Sequence, residues 1–203
     1  MRASGHDGRP RAALGAALSL NARSRGKLAR MDDATFSVSI PRLTTSRLLL
    51  REYRATDFEV FAANIQDPAA TEFVTGAPDR RSAWRSFTAG AGQWLVQGAG
   101  WWAVELRETS EVVGWVGAFF RETSPDLELG WILRPKFWRQ GLATEAAKAA
   151  LAYGIEKYDA RRIIAHITNA NLASVKVSRN LGMRYETEVP FFDQTVGLYA
   201  LER

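Results

Sequence analysis

The residues with the most chemistry in this chain lie between Leu127 and Thr144, LELGWILRPKFWRQGLAT. A strand ending near Leu133 is stopped by Pro135, and a loop containing Gly141 leads into a helix expected from about Ala143. The first amides of a helix have no internal partner and sit at the positive end of its dipole, so they can bind an anion. Gly141 lets the backbone approach such a ligand closely, and Arg134, Lys136 and Arg139 add positive charge nearby. The spacing therefore predicts a phosphate cradle between a strand end and a helix start. Neither a Walker run nor a three-glycine dinucleotide fingerprint is present, and the alternative reading is a tight glycine turn beside solvated arginines.

Glu128 precedes the cradle on the same strand. Alternation places Leu127, Leu129, Trp131 and Leu133 on one face and Glu128, Gly130 and Ile132 on the other, with Gly130 leaving room beside the carboxylate. A carboxylate on an otherwise apolar strand is costly unless it faces a cleft, is paired or has a shifted pKa. The first and last cases suit a base acting through water, whereas a salt bridge or a solvated face explains the residue equally well. Asn171 opens a further helical stretch as a good N-cap, with Ser174 one turn later. His166 reads as a face residue of a strand, because the nucleophile elbow of a serine hydrolase is missing.

The elements that must position these groups follow from periodicity. Arg47–Glu52 reads as a strand, Asp57–Ile65 as a helix capped by Thr56 or Asp57 and broken at Asp67-Pro68, and Arg81–Val96 as a helix closed by Gly98. Trp101–Leu106, Val112–Arg121 and Asp126–Leu133 are apolar runs separated by RETS turns, which predicts an antiparallel meander. Beyond them the order alternates: helix Ala143–Tyr158, strand Arg162–Thr168, helix Leu172–Leu181, then strands near Met183–Val189 and Gln194–Leu201. The small residues Ala143, Ala146, Ala147, Ala150 and Gly154 form a stripe that can lie close on a sheet. A strand, a crossover helix and another strand imply a parallel pair, so the fold class is α+β with a mixed sheet.

Length and composition set the outer bounds. The chain has 203 residues, 46% hydrophobic and 24% charged, enough for one core plus an appendage. It has no cysteine and only His6 and His166 as imidazoles, which excludes disulfides, thiolate zinc, iron–sulfur clusters and a multi-histidine metal centre; no metal is expected. No stretch is apolar enough to span a bilayer. The net charge of +5 invites a nucleic-acid reading, but Met1–Arg30 has seven basic residues against Asp7 alone. That segment is +6 and the remainder −1, so a nucleic-acid partner would depend on the tail. Residues 1–35 are expected to be a disordered basic extension and 36–203 the folded domain, in a cytoplasmic protein, monomeric or homodimeric.

Trp138-Arg139-Gln140-Gly141-Leu142-Ala143 resembles the pyrophosphate-binding motif of the GNAT superfamily of acetyl-coenzyme A dependent N-acetyltransferases, in the branch of ribosomal-protein N-terminal (alanine/serine) acetyltransferases. The similarity runs from about Pro41 to Arg203, and its most specific blocks are ELGWILRPKFWRQGLATEA and NANLASVKVSRNLGM. Two positions depart from the superfamily pattern: Trp138 replaces Gln or Arg, and Ala143 replaces the second glycine. The resemblance implies a GNAT fold, a mixed, mostly antiparallel central sheet with flanking helices and a splayed parallel strand pair. It also implies acetyl-CoA as co-substrate, held by Ile132, Leu133 and Arg134 through the backbone and by Arg139, Gln140, Gly141, Leu142, Ala143 and Thr144 in the cradle. It places Asn171 against the pantetheine and Ser174 near the thioester sulfur, where Ser174 can protonate the departing thiolate. Tyr185 and Tyr199 do not match the tyrosine that many superfamily members use for this step.

Acetyl transfer by direct attack in a ternary complex needs a neutral amine, for which Glu128 is the candidate base and a backbone amide near Leu133 the oxyanion donor. The implied acceptor is a primary amine on a small molecule or peptide, a ribosomal or other protein N-terminus among them. Phe73, Trp84, Phe87, Trp94, Trp101 and Trp102 are candidate lining residues of the acceptor side, mostly core, and Glu72 or Asp79 could attract a cationic amine. The competing reading is a non-catalytic acyl-CoA binding or sensing module.

Overall fold

The computed structural model describes residues 37–73 and 79–203. The extension expected over residues 1–35, and His6 within it, lie outside the described residues. Strands β1 (Leu43–Thr44) and β2 (Leu48–Arg51) lead into a 3-10 turn at Ala55–Asp57 and helices α1 (Phe58–Gln66), α2 (Pro68–Thr71) and α3 (Arg80–Gln97). The meander follows as β3 (Gly100–Leu106), β4 (Val112–Arg121) and β5 (Ser124–Leu133). Helix α4 (Leu142–Tyr158), strand β6 (Arg162–Ile167), helix α5 (Leu172–Asn180) and strands β7 (Arg184–Phe191) and β8 (Gln194–Glu202) complete the chain.

These strands form one sheet in the order β1-β2-β3-β4-β5-β6-β8-β7. Every neighbouring pair is antiparallel except β5 and β6. The α+β class, the mixed, mostly antiparallel sheet and the parallel pair expected from the sequence are all present.

Local chemistry sets the helix ends. Asp79 caps α3 by accepting from the Ser82 amide at 2.7 Å, and Gly98 ends the helix in the left-handed region at φ 65. Helix α1 starts one residue later than expected and carries no side-chain cap. The Asp57 carboxylate instead accepts from the Arg54 amide at 2.8 Å and from both terminal nitrogens of buried Arg51, which folds the preceding residues into the 3-10 turn. Asp67 marks a break as expected, and also caps α2 through the Ala69 amide at 2.9 Å.

Two apolar clusters flank the sheet. The buried stripe Ala146, Ala147, Ala150 of α4 packs with Leu127, Leu129, Ile163 and Ala165, while Phe58, Phe61 and Phe87 of the first helices pack with Ala103 and Trp115. Alternation along β3 separates them, since Trp102 and Val104 belong to one cluster and Ala103 to the other. The feature that positions a site is the short reach of the parallel pair. β5 meets β6 only at Leu127 with Ile163 and Glu128 with Ile164, yet it stays paired with β4 as far as Leu133 with Gly114. The strands part beyond Glu128, and the facing backbone groups of the parted edge need partners from elsewhere.

Candidate active site

A cleft of about 290 Å³ opens where β5 and β6 separate. Its walls bring Trp131 and Gly130 of β5 and His166 of β6 together with Asn171 and Ser174 at the start of α5. Glu128 and Arg121 line its inner end, and Phe191 and Phe192 close it from the β7–β8 hairpin.

The cradle begins at the parted end of β5. Gly141 is the N-cap of α4, at φ 76, and no side chain caps this helix. The leading amides, those of Leu142, Ala143 and Thr144, therefore lack side-chain partners at the positive end of a 17-residue helix. A Cβ added at Gly141 would meet only Arg47 Nη2, at 3.7 Å, so glycine is needed there for conformation and not for space. Arg139 is also left-handed, at φ 60, and is exposed.

The cations beside the cradle differ from those expected. Arg134 donates to Glu111 at 3.0 Å and to the Val112 carbonyl at 2.7 Å, and Lys136 pairs with the same Glu111, so both turn toward the start of β4. Arg47 takes their place. Its guanidinium donates to the Gln140 carbonyl at 3.0 Å and to Glu145 at 2.7 Å. Glu145 also accepts from Thr45 Oγ1 at 2.6 Å, Ser46 Oγ at 3.0 Å and the Arg47 amide at 2.9 Å, which clamps the β1–β2 turn to the first turn of α4. Burial raises the Glu145 pKa, but these donors outweigh it and bring the carboxyl to about 2.

Register decides which backbone groups face the gap. The Arg134 amide donates to the Val113 carbonyl at 2.9 Å. By the antiparallel alternation, Ile132 and Gly130 also direct their backbone groups to β4, whereas Leu133 and Trp131 direct theirs to the parted edge. Of the three residues expected to meet an extended ligand, Leu133 has the required orientation; the amides of Ile132 and Arg134 are turned to β4, and Trp131 shares the orientation of Leu133. The Leu133 carbonyl accepts from Trp138 Nε1 at 2.7 Å.

Asn171 caps α5 as its type predicts, its Oδ1 accepting from the Ser174 amide at 3.0 Å. That bond leaves the amide nitrogen of Asn171 as the donor for a ligand. Ser174 Oγ accepts from Trp131 Nε1 at 3.2 Å, which orients the serine and directs its own hydrogen elsewhere.

Glu128 is 4% exposed and paired. Arg121 grips both oxygens, with Nη2 to Oε1 at 2.8 Å and Nε to Oε2, and His166 Nδ1 lies 3.3 Å from Oε2. Burial pushes the carboxyl pKa up, and the close approach of His166 together with the hydrogen bonds from Arg121 outweighs that and holds it below the usual carboxylate range. The room expected beside Gly130 is filled: a Cβ there would stand 2.6 Å from Trp101 Cη2, and one on Gly117, its cross-strand partner, 2.7 Å from Trp101 Cδ2. The indole thus lies flat across both glycines and stacks on Phe119 at 5.4 Å.

The other residues proposed for the acceptor side divide clearly. Phe73 and Trp101 line the cleft. Phe87, Trp94 and Trp102 are buried in the core, Trp84 is exposed on α3, Asp79 is a helix cap and Glu72 is exposed away from the lining. Tyr199 is core and Tyr185 exposed, and neither lines the cleft. Arg47, Arg121 and His166 are the charged or titratable neighbours that periodicity did not point to. Arg47 and His166 acquire their places through pairing between distant parts of the chain, and Arg121 through the β4–β5 hairpin.

This combination, a splayed parallel pair with an uncapped helix N-terminus beyond it, suits an extended, phosphate-bearing ligand between two strands. The profile of the acetyltransferase (GNAT) domain family matches residues 47–184, and the chain belongs to that family. It is 28% identical over 144 residues to the uncharacterized N-acetyltransferase YnaD of Bacillus subtilis (strain 168), covering 71% of this chain and 83% of that one. It is also 28% identical to an acetyltransferase from Agrobacterium tumefaciens str. C58, whose crystal structure superimposes with a TM-score of 0.74 over 83% of this chain and 98% of the other. The fold alone is shared with RimL, a ribosomal α-N-protein acetyltransferase solved in complex with coenzyme A, at 14% identity and a TM-score of 0.68 over 80% and 98% of the two chains. The chain is thus an N-acetyltransferase that transfers acetyl from acetyl-CoA to an amine. Among the described residues no group of acids and histidines could hold a metal ion, and no helix is long and apolar enough to cross a membrane.

Proposed function

We propose that this enzyme acetylates the α-amine of a peptide or protein N-terminus, by direct attack on acetyl-CoA in a ternary complex. The observation that carries the reading is the cleft in the β5–β6 gap, which brings the donor-side residues Trp131, Asn171 and Ser174 within one cavity of Glu128 and His166. Amides from Arg139 to Thr144, with Arg47 beside them, hold the pyrophosphate. Trp131 and Leu133 offer the parted backbone edge to the pantetheine, and Asn171 adds its side-chain amide. A backbone amide of this edge near Leu133 serves as oxyanion donor. Ser174, with its oxygen engaged by the Trp131 indole, gives a proton to the departing thiolate. Residues 36–203 form the catalytic domain and the basic segment 1–35 is an appendage to it.

The choice of an α-amine rests on proton affinity. At pH 7 an α-amino group is about one tenth neutral, whereas a lysine is neutral about once in two thousand, a gap of roughly 3 to 4 kcal/mol. A site whose carboxylate is already paired with Arg121 suits the easier substrate. RimL, which shares the fold, is by its description an α-N-protein acetyltransferase.

Following free thiol while acetyl-CoA is mixed with short peptides tests the assignment. Peptides with a free N-terminus should release thiol, and N-terminally blocked peptides carrying an internal lysine should release little. Equal rates with the two sets, or release only with non-peptide amines, contradicts the assignment.

A further inference from the structure

We propose that His166 takes the proton from the attacking amine, with Glu128 and Arg121 as positioning residues that fix the imidazole and balance its charge. The inference rests on the reading of the cleft as an amine acetylation site. Glu128 is poorly placed to act alone, because both of its oxygens are engaged by Arg121. Arg121 is itself held by ring contacts, with its guanidinium 5.5 Å from the Phe119 centroid, 4.8 Å from Phe191 and 5.8 Å from Phe192. The carboxylate is therefore an anchored counter-charge.

His166 stands next to that anchor on the cleft wall. Its Nδ1 is buried and 3.3 Å from Glu128 Oε2, a contact that lacks hydrogen-bond geometry, and it has no hydrogen-bond partner among the described residues. The ring stacks on Phe191 at 4.4 Å with an 18° tilt, and Leu198 lies opposite on β8, so its plane is set by packing. Oε2 is the acceptor beside Nδ1, and a proton held on Nδ1 toward that carboxylate leaves the lone pair on Nε2, at the far corner of the ring. The same logic of carboxylate, oriented imidazole and reacting group serves other acyl transfers.

The step balances. The amine nitrogen bonds to the thioester carbonyl carbon, one N–H proton passes to Nε2, and the C–S bond breaks to release coenzyme A thiolate. That thiolate takes a proton from Ser174 or water, the serine is reprotonated by solvent, and the imidazolium returns its proton to solvent. The products are the amide and the free thiol. The imidazolium formed in passing is stabilised by Glu128.

Two substitutions separate a proton-transfer role from a packing role. His166→Gln retains a planar donor toward Glu128 but has no basic nitrogen, and His166→Ala leaves space for added imidazole. With the free peptide as acceptor, both variants should lose kcat by about 10²-fold, with the KM for acetyl-CoA within about threefold of the parent on the same scale. Added imidazole should restore part of the turnover of the alanine variant. Full turnover by H166Q, or a loss confined to KM, overturns the proposal. Absence of thiol release from every amine with the unaltered protein defeats the parent reading instead, and binding of acetyl-CoA by calorimetry tells these failures apart.

Discussion

At the scale of single residues, Glu128 shows how sequence chemistry and structure divide the work. The alternation of β5 predicted the face on which Glu128 lies and that an isolated carboxylate there needs an explanation. Its partners come from β4 and β6, 7 and 38 positions away, so their geometry is set by sheet pairing and not by local pattern. Replacing Glu128 by Gln should reduce kcat by about 10-fold to 10²-fold while leaving acetyl-CoA affinity nearly unchanged, as steady-state kinetics and calorimetry can show. Because its pKa is held down, Glu128 stays charged as pH falls into the ordinary carboxylate range, so its protonation costs rate only at lower pH than an unpaired carboxylate would. The capping role of Asn171 and the place of Ser174 on the same cleft wall were legible, since an N-cap type and a one-turn spacing are local signals. Trp131 is only half legible in the sequence: alternation gives its side chain a face, but the direction of its backbone groups depends on the register with β4.

At the scale of elements, the cradle depends on how α4 begins. Gly141→Ala forces a Cβ into the left-handed region, which costs about 1 kcal/mol and shifts the first amides of the helix. Acetyl-CoA KM should rise severalfold with little change in the acceptor KM. The clamp from the β1–β2 turn is the second support. The Glu145 pKa is lowered from 4.5 to about 2, so its contribution to stability is complete above the ordinary carboxylate pKa and fades as pH falls toward 2. Glu145→Gln should therefore lower the thermal midpoint at pH 7, by an amount equivalent to about 1 to 3 kcal/mol, and the gap from the parent should narrow at pH 3. The helix and its glycine were visible in the sequence because both are local. Arg47 and Glu145 were not, because 98 residues separate them and only the placement of β2 beside α4 brings them together.

At the scale of the whole molecule, the sheet order and the parting of β5 from β6 turn separate motifs into one site. The meander and the following β-α-β alternation were readable from periodicity, and the crossover predicted the parallel pair. Which aromatic residues face the cleft was not readable, since burial in either cluster suits the same residue types. Trp102 is core while its neighbour Trp101 spans the two glycines at the cleft. Charge is also a property of the whole chain: the excess of basic residues belongs to the first thirty, and the remainder is nearly neutral. Removing residues 1–35 should leave both the acetyl-CoA-dependent rise in thermal midpoint and the acetyl transfer unchanged, while any salt-sensitive nucleic-acid binding disappears.

The central claim is that the amides around Gly141 grip the pyrophosphate and thereby aim the thioester along β5 into the cleft. A crystal structure of the complex with coenzyme A tests it most directly. The account predicts phosphate oxygens within hydrogen-bond distance of amide nitrogens between Arg139 and Thr144, the pantetheine along the edge of Trp131 and Leu133, and the sulfur beside Ser174. A pyrophosphate bound away from the start of α4, or a sulfur outside the β5–β6 gap, contradicts it.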